Sequence, residues 1–152
     1  MPIDLRAYLP EEDDIIFVVE GDEVIRSALH FILDDQDETY SFATLDLAFA
    51  KAADLKARDL APSLVLLGVD LLRNNGERVV AGIARQLPGA RILIVANSVH
   101  DPLALTSLEW GAHDVLGKPI SFDSVRGRVD ALLRRQKPSA AMLGLLPPSA
   151  AW

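Results

Sequence analysis

The chain has 152 residues, a length typical of one domain, and half of them are hydrophobic, which argues against a disordered chain. It contains no cysteine, so disulfides, thiolate metal sites and cysteine nucleophiles are excluded. The formal net charge of −7 disfavours a nucleic-acid partner, because proteins that bind nucleic acid usually carry a basic face.

The N-terminal stretch "MPIDLRAYLPEEDD" has no apolar run of signal-peptide length and ends in four acids, so we expect no secretory signal. No apolar segment reaches the roughly 18 residues that a membrane-spanning helix needs. We therefore expect a cytoplasmic protein with no membrane partner.

Five short segments along the chain have the composition of strands. Four are short apolar runs, the last of them weaker than the others, and such runs are typical of strands buried on both faces of a parallel sheet. The fifth, "ETYSFA", alternates apolar and polar residues and suits an edge strand. In chain order the predicted strands are Ile15–Val19, Glu38–Ala43, Leu64–Leu67, Arg91–Ala96 and Asp114–Gly117.

The segments between and after these strands carry helical patterns. Apolar residues recur at the spacing of one helix face at residues 25–32, 45–52 and 80–87, and again at residues 122–132. Thr44, Asp101 and Ser121 are predicted N-caps, and Gly111 is predicted to end the fourth helix. The sequence therefore predicts five helices alternating with five strands.

This alternation indicates an α/β fold with a parallel sheet covered on both faces. Five strands suit a doubly wound, flavodoxin-like sheet in the order 2-1-3-4-5, with its ligand crevice beyond the carboxyl ends of strands 1 and 3. The residues delivered to that edge are Glu20, Gly21 and Asp22 after strand 1, Gly68, Val69 and Asp70 after strand 3, Ala96, Asn97 and Ser98 after strand 4, and Lys118 after strand 5.

Three of these segments identify a family resemblance. "VVEGDEVIRSAL", "PSLVLLGVDLLRNNG" and "GAHDVLGKPI" resemble, in order and spacing, the acidic, acceptor and lysine–proline segments of response-regulator receiver domains. The resemblance covers about residues 14–136. It leaves residues 1–13 as an N-terminal extension and residues 137–152 as an apolar C-terminal tail.

The resemblance implies a phosphoryl transfer from a histidine kinase to an aspartate, with Mg²⁺, a hydroxyl side chain and a lysine. The chain departs from that pattern at most of these positions. The acceptor position falls on Gly68, the acidic pair on Glu20 and Gly21, the hydroxyl on Ala96, the lysine on Lys118, and the aromatic residue that reports activation on Val115.

Glycine has no side chain to phosphorylate, and Glu20 with a backbone carbonyl near Asp70 is a poor ligand set for Mg²⁺. We therefore expect no aspartyl phosphorylation, no metal and no cofactor. Asp22 is expected to cap the first helix, and Glu20 to pair with Lys118. Two alternatives remain open: phosphorylation of Asp70 or Glu20, and an anion held in the emptied pocket beside Lys118.

The function predicted from these features is protein binding without catalysis. The chain would act in signal transduction as a stand-alone, phosphorylation-independent pseudo-receiver through the face formed by the fourth helix, the last strand and the last helix. Its partner would be a histidine kinase, a response regulator, another regulator or a second copy. The candidate interface residues are Trp110, Val115, Met142, Leu145, Leu146 and Trp152.

Overall fold

The computed structural model describes residues 14–133. Its strands are β1 (Ile15–Val19), β2 (Glu38–Phe42), β3 (Leu64–Gly68), β4 (Arg91–Ala96) and β5 (Asp114–Gly117). Its helices are α1 (Glu23–Leu33), α2 (Leu45–Ala57), α3 (Gly76–Gln86), α4 (Pro102–Glu109) and α5 (Phe122–Leu132). A short 3-10 helix, Val69–Leu72, follows β3 and was not predicted. The N-terminal extension and the tail residues Met142, Leu145, Leu146 and Trp152 lie outside the described residues.

All five strands are parallel and lie in the order β2-β1-β3-β4-β5, which confirms the predicted doubly wound sheet. The register is nearly level at the carboxyl ends: Val19 pairs with Leu67, Gly68 with Val95, and Ala96 with Gly117. The residues that follow these strands therefore emerge at one edge of the sheet. The alternating segment forms β2 at the sheet's edge, as predicted.

The core consists of two clusters, one on each face of the sheet. Side chains alternate along each strand, so Phe17 and Leu67 face one cluster while Ile16 and Leu66 face the other. Helices α2, α3 and α4 cover the first cluster, and α1 and α5 cover the second. Within residues 14–133, no helix combines the length and hydrophobicity needed to cross a bilayer.

The predicted N-caps are present, and each satisfies backbone donors at the start of its helix. Thr44 accepts from the amide of Leu47, and Asp101 accepts from that of Ala104. Ser121 forms a capping box with Ser124. These local signals explain why the helices begin where the sequence predicts.

A buried ion pair that was not predicted from the sequence ties α5 to the turn before β2. Arg126 and Asp37 have side chains only 3% and 1% exposed, and Arg126 Nη1 lies 3.2 Å from Asp37 Oδ2. Arg126 Nη2 also donates to Gln36 at 2.9 Å and to Asp130 at 3.3 Å. The guanidinium therefore connects two elements that pack on the same face of the sheet.

Candidate functional site

The carboxyl edge of the sheet holds a small cavity of about 70 Å³ between the ends of β1, β3, β4 and β5. Its polar lining side chains are those of Glu20, Asp22, Asp70, Asn97 and Lys118. Of the predicted pocket residues, Glu20, Asp22, Asp70, Ala96 and Lys118 line this cavity, whereas Gly21 and Gly68 do not. It is the location where a doubly wound sheet binds its ligand.

The carboxyl group of Glu20 occupies the space next to Gly68. A β-carbon at residue 68 would lie 2.6 Å from Glu20 Oε2, 2.8 Å from its Cδ and 2.9 Å from Oε1, closer than packed atoms approach. The backbone at Gly68 has φ −61° and ψ 132°, which any residue adopts. Glycine is therefore compatible with this position for a packing reason: it leaves room for the buried side chain of Glu20.

Glu20 is 7% exposed, and its Oε2 accepts a 3.3 Å hydrogen bond from the amide of Asp22. Burial raises the pKa of the Glu20 carboxyl above its ordinary value of 4.5, because the ionised form is poorly solvated there. Backbone hydrogen bonds from Asp22 and Gly21 lower this pKa, whereas the nearby charges of Asp70 and Asp22 raise it. The net effect is a raised pKa, with burial as its largest cause.

The raised pKa predicts how Glu20→Gln will change stability with pH. The folded chain binds the Glu20 proton more tightly than the unfolded chain, so the stability that this group contributes is full below pH 4.5 and is lost as pH rises through the higher folded pKa. We expect Glu20→Gln to be more stable than the parent at neutral pH, with the difference disappearing below pH 4.5. Urea unfolding across this pH range measures it.

The exposed acid Glu77 gives a matched control for this measurement, and Glu77→Gln should show no such gain. A Glu20→Gln difference that stayed constant with pH would contradict the electrostatic explanation. It would point to side-chain shape instead.

Lys118 does not pair with Glu20 as expected. Its Nζ donates to Asn97 Oδ1 at 2.9 Å, and among the described residues Lys118 forms no ion pair with Glu20. The expectation assumed a partly buried ammonium. Lys118 is instead exposed, so its ammonium stays solvated and does not need a carboxylate partner. Asn97, which directly follows β4, is a pocket residue whose part in holding Lys118 the sequence did not reveal.

The other predicted acids are engaged in local interactions. Asp22 caps α1 as predicted, accepting from the amides of Val24 at 2.9 Å and Ile25 at 3.1 Å. Asp70 is 71% exposed and lies 2.7 Å from Arg73 Nη2. Gly21 is exposed, and a β-carbon there would meet no atom within 4 Å.

These positions test whether the pocket fits the Mg²⁺ that the resemblance implies. The carboxylates of Glu20, Asp22 and Asp70 are directed to a buried glycine, a helix cap and an arginine respectively. In the part of the chain that the structure describes, no group of three acidic, histidine or cysteine residues is arranged to hold a metal. The residues present do not fit a hexacoordinate Mg²⁺ site.

The two described interface candidates lie closer to the core than expected. Val115 is only 4% exposed and packs in the first core cluster, so its assignment to a docking surface was wrong. Because α4 covers one face of β5, the side chain of Val115 is shielded from solvent there. Trp110 is partly buried, and a β-carbon on Gly76 would lie 2.6 Å from its Cζ3. The indole of Trp110 covers the start of α3 and the end of α4.

Two exposed leucines lie on α4, and neither was among the predicted interface residues. Leu105 is 45% exposed and Leu108 is 39% exposed, one turn apart. Ala104 and Ser107 face the core, which leaves these leucines on the outer side. Helical periodicity was a signal available in the sequence, but it did not reveal which face the sheet would cover.

The packing of Trp110 on Gly76 predicts the effect of Gly76→Ala. The added methyl overlaps the indole, so we expect a stability loss of about 1–3 kcal/mol, as for an overpacked core. Trp110 emission should shift to the red as the ring moves toward water. The measurement uses a Trp152→Phe background, because the chain has 2 tryptophans.

Gly82→Ala in the same helix is the matched control, because a β-carbon there meets only Arg85 Nη2 at 4.0 Å. It should raise stability by about 0.5–1 kcal/mol through reduced backbone entropy. Equal effects of the two substitutions would rule out the Trp110 contact as the cause.

Comparison with known proteins identifies the family. The family model for the response regulator receiver domain matches residues 16–130. Over 131 residues the chain is 32% identical to the response regulator MprA of Mycobacterium tuberculosis, covering 83% of this chain and 53% of MprA. Over 125 residues it is 30% identical to a probable transcriptional regulatory protein of Picosynechococcus, covering 80% of this chain and 50% of that protein. The chain belongs to the response-regulator receiver family.

A solved structure supports the fold. A response regulator from Thermotoga maritima superimposes with a TM-score of 0.67 at 20% identity, covering 80% of this chain and 98% of that one. The chain spans about half the length of the curated relatives it matches. The fold and family therefore make this chain a receiver domain of signal transduction.

Proposed function

We propose that this chain is a pseudo-receiver that signals by binding a protein, independently of phosphorylation. The observation that carries the proposal is the carboxyl group of Glu20, which lies where a side chain at residue 68 would begin. The position that the resemblance assigns to the phosphate acceptor thus holds a glycine whose space is already filled.

Two further features of the pocket support the proposal. Ala96, at the position of the family's hydroxyl, is 1% exposed and offers no hydrogen-bonding group from its side chain. The three acids are placed unfavourably for Mg²⁺, so neither this metal nor another cofactor is part of the proposal. A phosphoryl transfer would therefore lack its nucleophile, its metal and its hydroxyl. The role is one of binding and not of catalysis.

Close contacts also support a surface that stays in one arrangement. A β-carbon on Gly117 would lie 2.7 Å from the backbone nitrogen of Val99, so the loop after β4 lies directly on the end of β5. Trp110 packs on Gly76 and holds the end of α4 against α3. Together these contacts fix α4 and its preceding loop without a phosphoryl group.

The binding face in this proposal is α4–β5–α5. It presents Leu105 and Leu108 on α4, and it also carries the partly exposed ion pair of Arg128 on α5 with Asp114 on β5, 2.8 Å apart. Apolar side chains rimmed by charge are typical of protein interfaces. A histidine kinase, a response regulator, another regulator or a second copy is the partner class that we propose, with the cytoplasm as its place of action.

The primary test is intact-mass spectrometry after incubation with acetyl phosphate and Mg²⁺. We expect no phosphate adduct, because the acceptor position carries no side chain. One adduct that disappears in Asp70→Asn, or in Glu20→Gln, would overturn the proposal and establish a relocated acceptor. Binding of phosphate or nucleotides with a Lys118-dependent rise in melting temperature would favour an anion sensor instead.

The binding face is tested separately with Leu105→Glu. This change should weaken self-association in sedimentation experiments, or capture of a purified kinase or regulator. Leu47→Glu is the matched control, since Leu47 is 55% exposed on α2, on the other side of the molecule from α5. Equal losses for both variants would contradict the assignment of the face.

A further inference from the structure

A large open groove runs along α1, outside both the pocket and the α4 face. Its volume is about 760 Å³. Phe31, which is 83% exposed, and Phe122, which is 48% exposed, contribute its apolar rim, and Ile32 lines it as well. Exposed apolar side chains gathered along one groove are typical of surfaces that bind another protein segment.

One end of this groove is acidic. Asp34 and Asp35 line it directly after the last residue of α1, and both are exposed. The carboxyl end of a helix also carries partial negative charge. A segment that fits the groove would therefore place basic residues at this end and apolar residues beyond it.

The described chain ends on the face of the sheet that carries the groove. Arg126 of α5 lies 3.2 Å from Asp37, in the turn that also holds Asp34 and Asp35. Leu133, the last described residue, packs on the second core cluster, as Ile32 of α1 does. The tail is therefore attached on the same face of the sheet as α1.

The sequence after Leu133 has the complementary order. Three basic residues come first, at Arg134, Arg135 and Lys137, and the apolar run "MLGLL" follows at residues 142–146. A tail that entered the groove from its acidic end would place its basic residues near Asp34 and Asp35 and its apolar run nearer Phe31 and Phe122. The charge and hydrophobic patterns of tail and groove match in the same direction.

We propose that residues 142–146 of the C-terminal tail dock in the α1 groove of the same chain. The nine-residue step from Leu133 to Met142 spans up to about 30 Å when extended, whereas α1 is only about 16 Å long, so the reach suffices. A tethered segment also meets its site at an effective concentration on the order of millimolar, so even weak contacts hold it. The docked tail shields α1 from other proteins.

The test is a disulfide trap in the full-length chain, which has no native cysteine. Ser27 lines the groove, and Gly144 lies between the apolar tail residues, so Ser27→Cys with Gly144→Cys leaves the proposed contacts intact. We expect an intramolecular disulfide that forms roughly tenfold faster than in the control pair Leu47→Cys with Gly144→Cys. Non-reducing electrophoresis and intact mass follow the reaction.

Two added changes make the test specific. Phe31→Ser in the trapping chain should slow disulfide formation to the rate of the control pair, as should Leu145→Ser combined with Leu146→Ser. Circular dichroism checks that each variant is folded. Equal rates for the Ser27 and Leu47 pairs, or no disulfide at all, would overturn the proposal. A predominant intermolecular disulfide would overturn it in favour of a second copy seated on α1.

Discussion

The combination Glu20→Asp, Gly21→Asp and Gly68→Asp should turn this chain into a phosphate acceptor. Shortening Glu20 withdraws its carboxyl from the space beside residue 68, where a β-carbon now meets Oε2 at 2.6 Å. A β-carbon at residue 21 would meet no atom within 4 Å, so Gly21→Asp has room to add the second acid for Mg²⁺. A carboxylate oxygen of residue 68 would then attack the phosphorus of acetyl phosphate and release acetate, leaving Lys118 to neutralise the new phosphoryl charge.

The Gly68→Asp single variant distinguishes the effect of adding a nucleophile from the effect of the packing around it. Its new carboxylate must compete with Glu20 for the same space, and a misplacement on the order of 1 Å costs a reacting group up to ~100-fold in rate. We expect the triple variant to incorporate phosphate at least about tenfold faster than the single variant. Intact mass over time measures both. Equal labelling of the two would show that Glu20 does not obstruct the site.

Arg126→Ala should cause the largest loss of stability of the substitutions considered for this chain, about 3–5 kcal/mol, because it removes the buried guanidinium that pairs with the carboxylate of Asp37. The two side chains are 3% and 1% exposed. Chemical denaturation at neutral pH measures the change. Arg128→Ala is the matched control on the same helix: its pair with Asp114 has side chains 45% and 32% exposed, and its loss should be about 0–1 kcal/mol.

Arg126→Met tests whether charge or volume is responsible, because methionine keeps much of the apolar stem and removes the guanidinium. A loss close to that of Arg126→Ala is expected if the ion pair stabilises the junction of α5 with the turn before β2. Stability equal to that of the parent would show instead that desolvation cancels the attraction of the two charges, as it does in some buried pairs.

The locations of the elements follow from signals that are local in the sequence. A strand buried on both faces must be apolar throughout, so Ile15–Val19 and Arg91–Ala96 were predicted with the bounds that the structure gives. A cap is formed within three residues of its helix, so Asp22, Thr44, Asp101 and Ser121 were also recognisable. The sheet order followed from the alternation of elements and from the receiver-family resemblance.

The pocket shows the limit of that reasoning. The sequence identified Gly68 and Glu20 as departures from the family pattern, yet it led us to pair Glu20 with Lys118. The direction of the Glu20 side chain depends on the space that a neighbouring strand leaves and on how well Lys118 is solvated. Only the packed sheet shows that the space beside Gly68 takes the carboxyl and that Asn97 takes the ammonium.

The sequence by itself therefore determined the order and nature of the elements, because hydrophobic period and capping are encoded over a few residues. The tertiary structure decided the contacts between residues far apart in the chain: Arg126 with Asp37, 89 positions away, and Trp110 over Gly76. It also determined that Val115 is buried and that Phe31 is exposed to solvent. Such contacts depend on how helices settle on the sheet, and many partners are compatible with the same local pattern until that packing is known.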